Sequence, residues 1–244
     1  MVEVLVENKS RIIPDQYIFD IISIITERFL TEGKIILVMS ERNSRNLGEC
    51  IPKSLLECAK REPFFREYLN EKWDAGVIIY PKACKYYEDY PAFFTYLLGH
   101  EFGHAYVCLT DERLHLFYCL IQDFIRKASK GKVTRWDQLP HEVLFDQYGL
   151  YITELLYSRE EINRQFEMII KMGDCGDKKR LNKLLSMSPT CDFSKLWNDL
   201  IKFCLPFKES LIRLWKEDAE NTMLAKELAI TQLVSNFKSL VEHK

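Results

Sequence analysis

The stretch LLGHEFGHAYV, residues 97–107, holds two of the chain's five histidines with a glutamate between them. On a helix, residues four apart lie one above the other on the same face. His100 and His104 can therefore hold one metal ion between them. Glu101 sits about 100° further round, beside such an ion without having to bind it. Two imidazole ligands, and a carboxylate placed to take a proton from an activated water, are the parts of a zinc hydrolase. H-E-x-x-H is the sequence form in which they arrive. Leu97, Leu98, Phe102, Ala105, Tyr106 and Val107 make the flanks apolar. Three polar side chains in such a helix are costly to bury unless something satisfies them, and a metal would. Gly99 and Gly103 each lower helix propensity by about 1 kcal/mol relative to alanine, so their expected use is close approach of another backbone.

Two histidines leave the set short, because a catalytic zinc takes three protein ligands and keeps one position open. A third histidine six residues after the second is absent: position 110 is threonine and 107 is valine. The better source is LPHEVLFDQYGLYITELLY, residues 139–157. Glu142 and Asp146 are four apart on an expected helix, among Val143, Leu144, Phe145, Leu150 and Ile152. Glu142 can complete the metal shell, and Asp146 can accept a hydrogen bond from the far nitrogen of a histidine ligand. The plainer reading of the pair is an exposed acidic helix face. His141 competes weakly as a ligand, since it lies about 100° from Glu142. His115, eleven residues beyond His104, reads equally well as an ordinary half-buried polar residue. The basic run DKKRLNK, residues 177–183, reads as a solvated helix face.

HEFGH (100–104) followed by HEVLFDQYG (141–149) resembles the zincin metallopeptidases of the gluzincin type, and the resemblance spans about residues 75–157. It implies that His100, His104 and Glu142 are the ligands of one zinc ion per chain. It implies that Glu101 is the catalytic general base and acid, and that Asp146 is the carboxylate orienting a histidine ligand. The family also places a sheet edge beside its active-site helix, where a substrate peptide can add as a strand, and GVIIYP (76–81) is the natural candidate. Many such enzymes use a tyrosine or histidine to stabilise the oxyanion. Tyr106, Tyr148 and His115 lie near the motifs, and no spacing singles one out.

The elements that must position these residues follow from pattern. VEVLVE (2–7) alternates as a half-buried strand does, with Val2, Val4 and Val6 on one face. Pro14 opens an amphipathic helix to about Leu30, stopped by Gly33. KIILVMS (34–40) is a second strand and GVIIYP a third. Residues 41–52 read as polar and irregular, and a helical pattern runs from about Lys53 to Lys72. From Pro91 onward the pattern is helical. One helix carries HEFGH and fades near Leu109, Thr110–Asp111–Glu112 starts another that ends around SKGK (129–132), and a third runs from Pro140 to about Tyr157. Ser158 and Glu161 form a capping box for the next. GDCGD (173–177) and SMSP (186–189) are breaks, and two or three helices fill 191–242.

Composition narrows the classes. A net charge of −2 over 244 residues argues against a general nucleic-acid binder. No apolar run is long or clean enough to span a bilayer, and no secretory signal is visible in MVEVLVENKS. The eight cysteines form no close pair, so they read as reduced thiols that mostly fill core. The expected compartment is the cytoplasm.

The expected fold is α+β: a small N-terminal mixed sheet with an edge strand beside the active-site helix, then a mostly helical C-terminal region. The expected division is a zincin-like domain over 1–157 and a helical extension over 158–244. The expected function is a zinc metallopeptidase acting on a peptide or protein substrate. The alternative is a metal-binding regulatory or partner-docking module on a peptidase fold, with a protein partner engaged through the C-terminal helices. A third reading, a helical interaction protein without metal, makes the motif fortuitous.

Overall fold

The computed structural model describes residues 1–55, 59, 66, 72–128, 140–173 and 178–189. Its order is β1 (Val2–Asn8), α1 (Asp15–Thr26), β2 (Gly33–Met39), β3 (Gly48–Pro52), β4 (Ala75–Ile79), α2 (Pro81–Cys84), α3 (Tyr86–Asp89), α4 (Pro91–Ala128), α5 (Pro140–Glu154), α6 (Arg159–Met172) and α7 (Lys178–Leu185). This is the α+β architecture expected, a mixed four-stranded sheet against a long helix followed by further helices. Lys53–Leu55 is a short 3-10 turn. Most of the helix expected up to Lys72, the SKGK break and the helices expected over 191–242 lie outside the described residues.

The strands are ordered β1-β2-β4-β3. β1, β2 and β4 run parallel, with Val4 opposite Ile35 and Leu37 opposite Val77. β3 runs antiparallel to β4, with Gly48 opposite Ile79. Central parallel strands covered on both faces read as unbroken apolar runs, and β2 and β4 do so. Ile35, Leu37, Met39, Val77 and Ile79 face a core shared with Ile18, Ile21 and Ile25 of α1 and with α4. Ile36, Val38 and Ile78 face the opposite way, with Ile51, Trp73 and Tyr80.

Two expectations change here. GVIIYP is not a sheet edge, because β4 lies between β2 and β3. The edge is β3, drawn from the stretch read as irregular. Its five residues, Gly-Glu-Cys-Ile-Pro, are too few and too mixed to show a period of two. The second change is in α4, which runs unbroken from Pro91 to Ala128. Thr110 does not cap a new helix. Its hydroxyl donates back to the carbonyl of Tyr106 at 2.8 Å, the in-helix option open to threonine.

α4 and α5 cross closely, as the glycines require. A Cβ on Gly99 would sit 3.0 Å from the Cα of Gly149, and one on Gly103 would sit 3.2 Å from the Phe145 ring. α6 begins at the expected cap, where Ser158 Oγ accepts the N–H of Glu161 at 3.2 Å, and ends at Gly173 in the left-handed region. Gln165 of α6 uses its side-chain oxygen to accept the N–H of Ala92 at 2.9 Å, one of the donors a helix start leaves without a partner in its own helix. Among the described residues, no helix is long and apolar enough to cross a membrane.

Candidate metal centre

The stripe that faces α5 is set by helical arithmetic. Tyr96, His100 and His104 are spaced by four along α4, and Glu142 and Asp146 by four along α5. The glycine crossing brings the two stripes together. One ligand atom each from His100, His104 and Glu142 lies within 4.8 Å of the others. His100 Nε2 is 3.3 Å and His104 Nε2 4.0 Å from the same Glu142 oxygen. His100 and Glu142 are 6 % and 3 % exposed, so this is a buried cluster of two imidazoles and a carboxylate. Its donor set and spacing fit a divalent metal ion, which His100, His104 and Glu142 could hold.

Each histidine is braced on its other nitrogen. His100 Nδ1 lies 2.9 Å from Asp146 Oδ1. Asp146 is itself pinned: Tyr96 donates its hydroxyl to Oδ1 at 2.6 Å. Arg180 grips both carboxylate oxygens, with Nε donating to Oδ2 at 2.8 Å and Nη2 donating to Oδ1. His104 Nδ1 lies 3.2 Å from Nε2 of His115. The Phe145 ring packs against the His104 ring, with centroids 3.8 Å apart. Such partners fix the tautomer and orientation of a histidine ligand.

The local electrostatics follow from burial and these partners. Burial pushes the Glu101 carboxyl up to about 7, against the pull of His100 and with the help of Glu142 and Glu49. A carboxyl poised there can take up and release a proton near neutrality. For His100, burial opposes the charged ring, but the hydrogen bonds to Asp146 and Glu142 outweigh it and raise the group to about 9. For Asp146, burial is likewise outweighed, by Arg180 and His100, and its carboxyl is held below the usual range.

Glu101 points to the sheet edge. A Cβ on Gly48 of β3 would lie 2.6 Å from Glu101 Cγ and 2.7 Å from its Oε1. Only a residue without a side chain lets the edge strand close over this carboxylate. Tyr80 donates its hydroxyl to Glu49 on the other side of β3 at 2.8 Å.

Of the residues singled out by sequence, the structure gathers His100, Glu101, His104, Glu142 and Asp146 at one place. Tyr106 and Tyr148 stack on each other with rings 11° from parallel. The side chain of His141 lies outside the described residues. Three contributors escaped the sequence reading, and His115, named there, was missed only as the partner of His104. Tyr96 was legible as one turn before His100. His115 was hidden by the helix break expected at Leu109. Gly48 lay in a strand too short to recognise. Arg180 lay in the basic run read as solvated, although Leu181 and Leu184 beside it are buried.

Searches against protein-family models, curated proteins and solved structures returned no match to this chain.

Proposed function

We propose that this protein is a zinc metallopeptidase of the gluzincin kind, with His100, His104 and Glu142 as the ligands and Glu101 as the catalytic base. The observation that carries the reading is the convergence of these three ligand atoms within 4.8 Å, with Glu101 on the helix that carries the two histidines. When bound, zinc polarises a carbonyl and acidifies water. Glu101 takes the proton released and passes it to the leaving amine, a role suited to a carboxyl held near 7. Asp146, locked by Arg180 and Tyr96, keeps the proton of His100 on Nδ1 and so leaves Nε2 free for the metal. The substrate adds to the side of β3 that carries no paired strand among the described residues, backbone to backbone, which brings a peptide bond past Glu101.

Two measurements test this. Zinc content should be about one per chain in the wild type at the proposed centre and clearly lower in Glu142→Ala. Glu101→Gln should keep its zinc and lose cleavage of a peptide library by about 10²–10⁴-fold. Unchanged cleavage in Glu101→Gln ends the assignment. Absence of zinc from both proteins after reconstitution ends the metal reading altogether.

A further inference from the structure

The stripe on α4 does not stop at His104. Cys108 follows it by four residues and His115 by eleven. At about 100° per residue, His100, His104, Cys108 and His115 fall within roughly 80° of one another around the helix. β3 meets this stripe. Its alternation turns Gly48 and Cys50 toward α4, while Ile51 packs on the other face of the sheet. One ligand atom each from Cys50, Cys108 and His115 lies within 4.8 Å of the others. Cys108 and His115 are buried, Cys50 is half-buried, and neither cysteine is in a disulfide.

We propose that Cys50, Cys108 and His115 form a second metal site, for a thiophilic divalent ion of the zinc class, beside the His/His/Glu cluster. The chemistry of the donors selects the ion: two thiolates and an imidazole suit zinc and disfavour magnesium or calcium. With metal–sulfur bonds near 2.3 Å and metal–nitrogen bonds near 2.0 Å, tetrahedral ligand atoms stand roughly 3.3–3.8 Å apart. The set therefore closes on an ion with side-chain shifts of about 1 Å. An ion there ties the edge strand to α4 a short way beyond Glu101.

The two sets share a hydrogen bond, and this makes them rivals. A neutral imidazole carries one proton. When His104 gives Nε2 to the first ion, its proton sits on Nδ1, facing Nε2 of His115 at 3.2 Å. His115 must then accept that proton's hydrogen bond with Nε2 and keep its own proton on Nδ1. No lone pair is left for a second ion unless the contact breaks. The thiolate set should therefore bind its ion more weakly when the first set is full, a means by which surplus metal acts on the first centre.

The site stands on its own ligands and does not depend on the peptidase reading. Its test uses cobalt(II) as the probe, on the full chain under reducing conditions. Glu142→Ala isolates the second set, and Glu142→Gln serves if the first variant fails to fold. Cobalt should produce a thiolate-to-metal charge-transfer band in the near ultraviolet and should slow alkylation of Cys50 and Cys108. Cys50→Ser and Cys108→Ser in the same background should lose the band. Affinity read from the band should be about 5- to 150-fold higher in Glu142→Ala than in zinc-loaded wild type, the usual span of coupling between sites. Equal affinities would remove His115 from the set. Absence of the band in every protein, or a Cys50–Cys108 disulfide in place of metal uptake, would overturn the site. Unchanged cleavage in Glu101→Gln would count against the peptidase reading alone, and the zinc content of the first centre is read in the Cys50→Ser background, where the second set holds no ion.

Discussion

At the residue scale, the most consequential side chain is one that supplies no ligand atom to the first centre. Arg180 forks onto Asp146, and Asp146 holds His100. Arg180→Met would leave Asp146 buried at 4 % exposure with Tyr96 and His100 as its remaining side-chain partners among the described residues. Loss of a partner to a carboxylate that orients a histidine ligand costs about 10- to 100-fold in metal affinity. Competition with a chromophoric chelator should show a drop of that size for zinc, and an unchanged affinity would mean that Tyr96 alone fixes the carboxylate. Gly48 gives a second prediction of a different kind. In Gly48→Ala the three atoms nearest the new methyl all belong to the flexible side chain of Glu101, so stability should change little while the carboxylate is displaced. Peptide cleavage should fall at least tenfold with zinc content intact, read by steady-state kinetics beside metal analysis.

At the scale of elements, the centre exists because α4 and α5 approach more closely than ordinary side chains allow. A Cβ on Gly149 would lie 2.5 Å from the carbonyl oxygen of Tyr96 and 2.9 Å from the backbone nitrogen of His100. Those are backbone atoms of α4 and cannot turn aside. Gly149→Ala should force the helices apart, destabilise the protein by about 1–3 kcal/mol, and draw Glu142 away from the histidines. Urea denaturation and zinc titration of the same sample should change together; a stable variant with full zinc affinity would show that the crossing is not tight. The glycines at 99 and 103 carry this message in the sequence, since their cost in helix propensity needed a compensating contact. What they did not reveal was the partner, because a close crossing pairs residues distant in sequence.

At the scale of the whole molecule, residues beyond position 158 act on α4 from two directions. Gln165 receives the N–H of Ala92 where α4 begins, and Arg180 braces Asp146 and the candidate metal centre about two turns further on. A hydroxyl cluster joins the N-terminal part to the same region: Tyr17 lies 2.6 Å from Thr95 Oγ1 and 2.7 Å from the hydroxyl of Tyr157. Metal bound between α4 and α5 should therefore stabilise much of the described fold. With free zinc near a thousand times its dissociation constant the gain is about 4 kcal/mol, or roughly 10 °C in Tm for a chain of this size. A thermal melt with and without chelator should show that shift, and coincident melts would speak against a metal held by the native state.

The sequence by itself determined whatever rests on local period. It placed β1, β2 and β4, because alternation and unbroken apolar runs are read within a few residues. It placed His100, Glu101 and His104 on one helix and Glu142 with Asp146 on another, because a spacing of four is a face. The cap at Ser158 was equally local. Tertiary structure decided the rest. β3 became the edge because strand order depends on pairing with β4, not on the five residues of β3. α4 continued through Thr110 because a hydroxyl that could have capped a helix found a carbonyl one turn back. That continuity aligned His115 with His104, and the strand pairing brought Cys50 to Cys108. Arg180 was charged and preceded by two lysines, and only the fold showed a buried carboxylate waiting for it.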